Sequence, residues 1–495
     1  MLQTLKKAWN SKEIRGQILF TLFILLLYRV GTVIPVPFVE ANNFAASFSG
    51  TILDQLNILS GGALGTATLF ALGVSPYINA SIIIQLLAVV FPKLGEIAKT
   101  DKSKMNFITR ITTVVLAAVT AFGYYVLLKD NGALTNAATP ADNKLYWIYG
   151  IVIVACYCAG ASVVMWLAER INEKGIGNGI SLILFANIIS VLPSFFIQLV
   201  SLIIDTFSFP KNAWLFATLT ILFGLILIAS IVALIIFVIW VTGSERRIPV
   251  MYAGQIKGGR KMLQGQKQDL PIKLNMTGVM PIIFASSIVS LVPTILALCG
   301  VNSETKGFWG GVNRILASNG VVYPVLLFVL IIAFTYFYTQ ITFDPVEVAN
   351  TIRGRGGLIK GIRQGKPTVD FIKKILNKVT IVGALFLAII AILPVIAGPH
   401  IIQHFLEWVM DNSNYAAQIA EYKAEIASGT LDAWTQYVYQ SYISQLQSNM
   451  TAIVQSLTST FTFGGTSLLI MVGVVIETFM QLEAKTTARN TKGIF

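Results

Sequence analysis

The chain has 495 residues, of which 55% are hydrophobic and only 12% are charged, and its mean hydropathy is +0.72. This composition excludes a soluble globular protein, because so few charged residues could not keep its surface hydrated. The net charge of +13 does not by itself indicate nucleic-acid binding, since the distribution of Lys and Arg along the chain has a simpler explanation in membrane topology.

Ten apolar stretches are long enough to cross a membrane, and they lack the alternation of strands. We therefore expect an all-α polytopic bundle. The predicted spans cover residues 17–34, 74–91, 107–128, 146–167, 180–204, 213–241, 276–299, 321–342, 379–397 and 466–482. With these spans, one side of the membrane carries 29 Lys and Arg and the other carries six, which predicts that both termini are cytoplasmic. The N-terminal segment has no small-residue cleavage site, so no removable signal peptide is expected.

The stretch 60–87 combines a half-length apolar segment with a full span. Residues 63–74 are too short to cross a membrane as a helix, and Gly73 and Pro76 break the chain before the second span. Three further glycines, Gly61, Gly62 and Gly65, lower the helix stability of this segment. A re-entrant segment of this kind is tolerated at membrane depth only inside protein or beside a water-filled cavity, so the pattern predicts a cavity.

The ten spans divide at residues 208–214 into two groups of five. Since five is odd, related halves would lie inverted in the membrane and would enclose a path at their interface. We therefore predict an N-terminal half, 1–207, and a C-terminal half, 208–495, although no residue-level repeat links them.

The chemistry that the spans carry argues against an enzyme and against an ion-coupled transporter. The sequence has no P-loop, nucleophile elbow or HExxH motif, and no histidine lies within a span. Arg29 and Glu477 are the clearest charges inside spans, and Arg29 is close enough to the external end to snorkel. A secondary transporter and an insertase without a sealed pore remain the alternatives to a channel.

Glycine-rich segments open the second, fifth and tenth spans, which suggests close backbone approach at a central site. Branched apolar residues sit around these openings and in the seventh span. Singly, each fits a core or lipid-facing position; together they could form a constriction that excludes water and ions. These residues are Val74, Ile78, Ile180, Leu184, Ile283 and Ile470.

Three connections are longer than topology requires. The loops 243–273 and 343–374 are basic and long, which favours docking of an acidic partner such as ribosomal RNA over a plain solvated loop. The external segment 398–463 is acidic and predicts two amphipathic helices, over 415–426 and 431–457. It is either a partner-docking surface or a self-packed cap. His400 and His404 share a helical face within it, and we interpret this spacing as coincidence rather than a metal site.

Seven sequence motifs resemble those of the SecY family, the central subunits of bacterial protein-conducting channels, and they occur in family order across the chain. The motifs are SGGALGTATLFALGVSPYINASIIIQLL (60–87), GIGNGISLILFA (175–186), ERRIPVMYA (245–253), LPIKLNMTGVMPIIFASS (270–287), FYTQITFDPVEVANTIRGRGG (337–357), GIRQGKPT (361–368) and FGGTSLLI (463–470).

This resemblance implies a passive channel that moves unfolded polypeptides across the cytoplasmic membrane and releases membrane segments sideways. The six branched residues above match the family's pore ring. A short plug helix at about 60–72 would close the pore, with Gly61, Gly62, Ala63, Leu64, Gly65 and Leu69 as its residues. The polar positions of the lateral gate, between spans 2 and 3 and spans 7 and 8, match Asn79, Thr120 and Asn275.

The resemblance also implies partners, and no cofactor. SecE would clasp the bundle, SecG would join it, and the SecA motor or the ribosome would supply energy; signal peptides and nascent chains are the substrates. SecDF and YidC are further candidate partners. Cytoplasmic docking is expected at Arg246, Arg247, Arg260, Lys261, Arg353, Arg355 and Arg363.

The chain departs from the family pattern at three places. The external segment 398–463 is far longer than the family's usual connection, so a lineage-specific partner is a further expectation. The loop after Tyr252 is one residue longer than the usual bacterial pattern, and Thr120 stands where some members carry a larger polar or acidic group.

Overall fold

A computed structural model gives the fold, and it describes residues 6–492 except 7, 41–51, 136–145, 208–212, 253–255, 258–260, 263–266, 299–306, 317–319, 321, 412–413 and 429–431. The first part of the chain forms eight helices within these described residues. In chain order they are α1 (Lys12–Gly31), α2 (Ile52–Leu59), α3 (Ser75–Val90), α4 (Pro92–Thr100), α5 (Lys102–Asp130), α6 (Tyr146–Lys174), α7 (Gly179–Phe207) and α8 (Ala213–Gly243).

The second part adds five strands and eight helices within the same described ranges. The strands are β1 (Glu245–Tyr252), β2 (Ile256–Lys257), β3 (Lys261–Met262), β4 (Lys267–Lys273) and β5 (Gly357–Ile359). The helices are α9 (Met280–Leu298), α10 (Phe308–Ile315), α11 (Val322–Thr342), α12 (Pro345–Gly354), α13 (Lys366–Ala397), α14 (Gln403–Asp411), α15 (Asn414–Ala427) and α16 (Ala433–Lys492). A π-helical turn, Gly398–Ile402, joins α13 to α14.

The predicted ten-span bundle agrees with these helices. Seven described helices are long and apolar enough to cross a membrane, the pair α3 and α4 forms an eighth that bends by 117°, and α7 and α9 contain shorter apolar helices. Each of the ten predicted spans therefore falls on one of them, and the protein is a multi-pass helical membrane protein. The bend follows from Pro92, because the residue before a proline disfavours helical backbone and Phe91 is extended with φ −102° and ψ 108°.

Strands in the two basic loops, 243–273 and 343–374, were not predicted. A three-stranded antiparallel sheet has the order β4-β1-β5, in which Ile248 pairs with Leu270 and Val250 pairs with Gln268 and Ile359. Ile248 and Val250 alternate with exposed residues and are buried, so one face of the sheet packs on a small apolar core under α12 and α13. The alternation of buried and exposed residues covers only a few positions, which is too short a pattern to predict a strand within a long basic loop.

The external segment differs from prediction in its second helix. The first predicted helix is confirmed as α15, whereas the second does not end before the tenth span. It continues into that span as the single 60-residue helix α16, which at about 1.5 Å per residue is about 90 Å long. The prediction of a separate second amphipathic helix is therefore wrong. Instead, α15 packs against an extension of the last span.

The main apolar core lies where spans from both parts of the chain meet. It takes buried residues from α1, α3, α6, α7, α9, α11, α13 and α16. A second cluster gathers α2, the turns after it, α5 and α6. The short helix α2 thus contacts α7, α9 and α16 while its following turns contact α5 and α6, so this part of the chain is surrounded by spans.

A candidate channel seal

The six branched residues singled out from the sequence come together in the main core. Their exposed fractions are 2% for Val74, 3% for Ile78, 8% for Ile180, 3% for Leu184, 2% for Ile283 and 2% for Ile470. Four helices and the turn before α3 supply them, and all six belong to one packed cluster. Burying branched apolar side chains excludes water without directional bonds, so the arrangement can close a path by dewetting.

The segment before α3 is built differently from the predicted half-length helix. The helix is α2, at 52–59, and residues 60–74 form successive turns, so the prediction of a helix over 63–74 is wrong. The turns arise because two side chains accept hydrogen bonds from nearby backbone N–H groups. The Asn57 Oδ1 accepts from the Gly65 N–H at 2.8 Å, and the Ser60 Oγ accepts from the Leu64 N–H at 3.1 Å.

A Schellman motif ends α2 and sets the direction of these turns. The Gly62 N–H donates to the Asn57 carbonyl at 2.8 Å, and the Gly61 N–H donates to the Ile58 carbonyl at 3.0 Å. Gly61 lies at φ +71°, the left-handed conformation that this motif requires and that glycine adopts without a Cβ penalty. Gly61 and Gly62 therefore redirect the chain at the end of α2 rather than softening a longer helix.

Neighbouring spans hold the turn segment through its backbone. The hydroxyl of Tyr124 on α5 donates to the Leu64 carbonyl, and that of Tyr157 on α6 donates to the Ala67 carbonyl at 3.1 Å. The Leu69 N–H donates to the Ile34 carbonyl at 2.9 Å, after α1. Ala63, Leu64 and Gly65 are buried, and Leu69 is half-buried against the main core. All six predicted plug residues thus lie in one loop enclosed by spans.

A cavity of about 140 Å³ lies beside the seal, between α2, α3, α5 and α9. Ile78, Leu184, Ile283 and Ile470 face it from the ring. On α9 it is lined by a polar stripe made of Ser286, Ser287, Ser290 and Thr294. A mostly apolar cavity of this size, with hydroxyls along one wall, can accept a small apolar group such as a side chain.

The three predicted gate residues do not all meet. Asn79 on α3 and Thr120 on α5 line the cavity together, and the hydroxyl of Thr120 bonds the carbonyls of Leu116 and Ala117 in its own helix. Asn275 does not line it; it lies between β4 and α9 and is 7% exposed. The Oδ1 atoms of Asn79 and Asn275 are buried and have no hydrogen-bond partner in the part of the chain that the structure describes.

The three-stranded sheet β4-β1-β5 gathers most of the predicted docking arginines. Arg246 and Arg247 are exposed on β1, and Arg353 and Arg355 are exposed where α12 leads into β5. Arg363 is exposed in the turn before α13. A surface ion pair of 2.8 Å joins Arg247 to Glu245, and the other four exposed arginines keep this surface basic. Lys261 lies in β3, with its side chain not described, and Arg260 lies outside the described residues.

The external helices α15 and α16 pack through tyrosines. The rings of Tyr422 and Tyr439 lie 5.0 Å apart, and those of Tyr422 and Tyr442 lie 6.4 Å apart. A hydrogen bond with Glu425 raises the pKa of Tyr439 above its usual range. Trp434 and Tyr437 remain 73% and 71% exposed. Part of this segment therefore packs on itself and part remains open.

One side chain that contacts the end of α2, Asn187, was not predicted from the sequence. Asn187 on α7 is fully buried and donates from Nδ2 to the Leu59 carbonyl at 2.7 Å and to the Tyr28 hydroxyl at 2.9 Å. The snorkelling interpretation of Arg29 is wrong, because its Nη1 is buried beside Gly61. The available signal was a single Asn in a predicted span whose other polar residues are serines and Gln198. Among the described residues, no three His, Cys, Asp or Glu cluster as a metal site.

Comparison with protein families matches residues 68–411 to the SecY sequence profile. The chain belongs to the SecY family. Among its curated SecY relatives, the protein translocase subunit SecY of Mycobacterium bovis is 35% identical over 509 residues, covering 100% of this chain and 99% of the relative. The same subunit from Streptomyces coelicolor is 34% identical over 507 residues, with the same coverage.

Solved SecY-like structures share the fold. A protein-conducting channel matches with a TM-score of 0.53 at 17% identity, covering 94% of this chain and 91% of that one. A SecY structure described by its plug domain, which stabilises the closed state of that channel, matches with a TM-score of 0.53 at 18% identity and the same coverage. Canine Sec61, in a ribosome-channel complex from the endoplasmic reticulum, matches with a TM-score of 0.50 at 16% identity and the same coverage.

Proposed function

We infer that this chain is the channel subunit of a protein translocase, a passive conduit for unfolded polypeptides rather than an enzyme. Its full-length relatives are named protein translocase subunits, and it belongs to their family. One observation carries the inference from the residues themselves. Branched apolar residues from separate helices meet in one core, directly beside an enclosed loop that its neighbours hold by individual hydrogen bonds.

At the residue level we assign the seal to two parts. Val74, Ile78, Ile180, Leu184, Ile283 and Ile470 form the pore ring, and their burial in one cluster supports this assignment. The plug comprises residues 52–72, which adds α2 to the predicted 60–72. Residues 1–207 and residues 208–495 act as the two halves that enclose the path.

The lateral gate lies where α3 and α5 face α9. The cavity there supports the assignment, since it already separates these helices beside the ring. An apolar signal segment could replace the contacts of α9 with α3 and α5 while its polar backbone groups remain satisfied within its own helix. Asn79 and Thr120 belong to this gate; Asn275 lies at its cytoplasmic end.

Partner proteins or the ribosome would supply the energy for transport by docking on this chain. The exposed arginines on and beside the cytoplasmic sheet suit the phosphate backbone of ribosomal RNA or the acidic surface of the SecA motor. Canine Sec61 was seen in a ribosome complex, which supports the first of these. SecE and SecG would complete the complex, and SecDF and YidC would assist it. The excess of Lys and Arg in the termini and the even-numbered connections supports a location in the cytoplasmic membrane with both termini inside.

Conductance of the reconstituted complex tests the function. The chain, purified with SecE and SecG, is placed in planar bilayers with and without residues 52–72. We expect the shortened channel to leak ions at rest and to accept substrates with defective signal sequences. The full-length complex should remain closed until a signal peptide is added. Equal conductance from both forms would contradict the plug assignment, and saturable uptake of a small solute without polypeptide translocation would contradict the channel itself.

A further inference from the structure

The end of α2 is fixed by groups from two other spans. Its Schellman motif satisfies the carbonyls of Asn57 and Ile58, whereas the Leu59 carbonyl has to find a partner elsewhere. Asn187 of α7 supplies that partner through Nδ2 at 2.7 Å. Because Asn187 is fully buried, this bond is shielded from competing water. A side chain of the fifth span thus caps a helix that belongs to the plug.

Asn187 is itself oriented by the first span. Its Nδ2 also donates to the hydroxyl of Tyr28 at 2.9 Å, and Tyr28 is fully buried and stacks on Phe70 of the turn segment with ring centroids 5.6 Å apart. Two donations from one amide nitrogen fix both the rotamer and the direction of the group. The first span, the fifth span and the plug therefore share one hydrogen-bonded junction.

Arg29 adds a positive charge at the same junction. A β-carbon built on Gly61 would lie 2.9 Å from the Arg29 Nη1, the Asn187 Oδ1 and the Ser190 Oγ, so these polar atoms converge on the bare side of that glycine. The Nη1 and the Oδ1 are both buried. The carbonyl end of a helix carries partial negative charge, so a cation held there stabilises α2 in place.

We propose that Asn187 and Arg29 form a latch that positions the plug, with Asn187 capping the last carbonyl of α2 and Arg29 neutralising the charge at that end. The latch rests on the proposed function, because it matters only if residues 52–72 close the channel. Tyr28 orients Asn187, and Gly61 admits the latch because any larger residue would fill the space where the polar atoms meet. Opening requires this junction to separate, after which water can hydrate both side chains.

Two substitutions test the latch through resting conductance. Asn187→Leu removes the cap while keeping the branch at Cγ and the number of side-chain heavy atoms, and Arg29→Gln removes the charge while keeping donors. Each should raise the resting open fraction about tenfold in planar bilayers, and Arg29→Lys, which keeps the charge, should restore most of the closure. Thr113→Val is the matched control, because its buried hydroxyl donates to the Thr109 carbonyl of its own helix and deleting it should leave conductance unchanged.

A double variant separates the latch from the plug. In a chain that lacks residues 52–72, Asn187→Leu and Arg29→Gln should add no further conductance, since the latch would have nothing to hold. Additional leak in that background would overturn the latch and indicate a direct role in the fold. If the deletion leaks while both single variants stay closed, the latch is wrong and the plug stands; if the deletion itself stays closed, the plug assignment fails first. Yield of the complex and translocation of a substrate with a strong signal sequence, both expected at parental levels, establish that each variant has folded.

Discussion

The proposed pore ring and the proposed plug lie side by side but would close the path by different physics. The ring is six branched apolar side chains whose contacts have no preferred direction. The proposed plug is a short helix followed by turns, and its Leu59, Leu64 and Ala67 carbonyls each accept a hydrogen bond from a particular side chain on a neighbouring span. Non-directional packing can loosen around a passing polypeptide and close again, whereas directional bonds make the plug either seated or released.

This contrast predicts that closure by the plug is more sensitive to single substitutions than closure by the ring. A change of one methyl group in the ring should shift its packing slightly, while loss of one donor at the plug should leave a buried carbonyl without its bond. Three sets of substitutions can break or sharpen the comparison, and resting conductance with tolerance of defective signal sequences measures each one.

Gly160→Ala should have the largest effect. A β-carbon on Gly160 of α6 would lie 2.0 Å from the Leu69 carbonyl, a backbone atom that cannot turn aside. The turn segment would have to move away from α6, at a cost of about 1 to 3 kcal/mol typical of overpacking. We expect continuous ion leak. Gly16→Ala is the control, because a β-carbon there meets nothing within 4 Å and alanine favours helix. A closed Gly160→Ala channel would show that the plug is not seated against α6.

Tyr124→Phe should have an intermediate effect. It removes the donor to the Leu64 carbonyl but keeps the ring, whose centroid lies 5.0 Å from that of Tyr157. The Leu64 carbonyl would keep only the 3.2 Å bond from the Ala67 N–H, so losing the hydroxyl should cost about 1 kcal/mol and weaken the closed state without unfolding the span. Tyr437→Phe is the matched control, since that side chain is 71% exposed. Equal conductance of the two variants would mean that the hydroxyl does not hold the plug.

The same contrast separates what the sequence could predict from what it could not. Hydropathy is a sum over many residues, so all ten spans were predicted, and branched residues beside glycine-rich openings pointed to the ring. The turns could not be read this way. The apolar residues of 63–74 suggested a helix. Instead, the Asn57 side-chain oxygen and the Ser60 hydroxyl accept hydrogen bonds from the backbone N–H groups of Gly65 and Leu64, and these bonds favour turns over helix.

Long-range partners were hidden for a related reason. Asn187 is one polar residue in an apolar span, and only the fold shows that it meets the Leu59 carbonyl, 128 residues away in sequence. The helix α2, ILDQLNIL, mixes polar and apolar residues over eight positions, too few for a periodic signal. The cytoplasmic strands are equally short, and their pairing of β1 with β5 spans about a hundred residues, beyond any local pattern.

Conservative exchanges in the ring should have the smallest effect and test its side of the comparison. Ile78→Val removes one methylene from a side chain that is 3% exposed, at a cost of about 0.5 to 1.5 kcal/mol. Ile470→Leu keeps the volume and should cost less than about 1.5 kcal/mol. Because neighbours in the packed cluster can shift to refill the space, both channels should remain closed at rest. Leak from Ile78→Val equal to that of Tyr124→Phe would show that the ring, too, depends on individual contacts. Directional bonding would then no longer distinguish the proposed plug from the proposed ring.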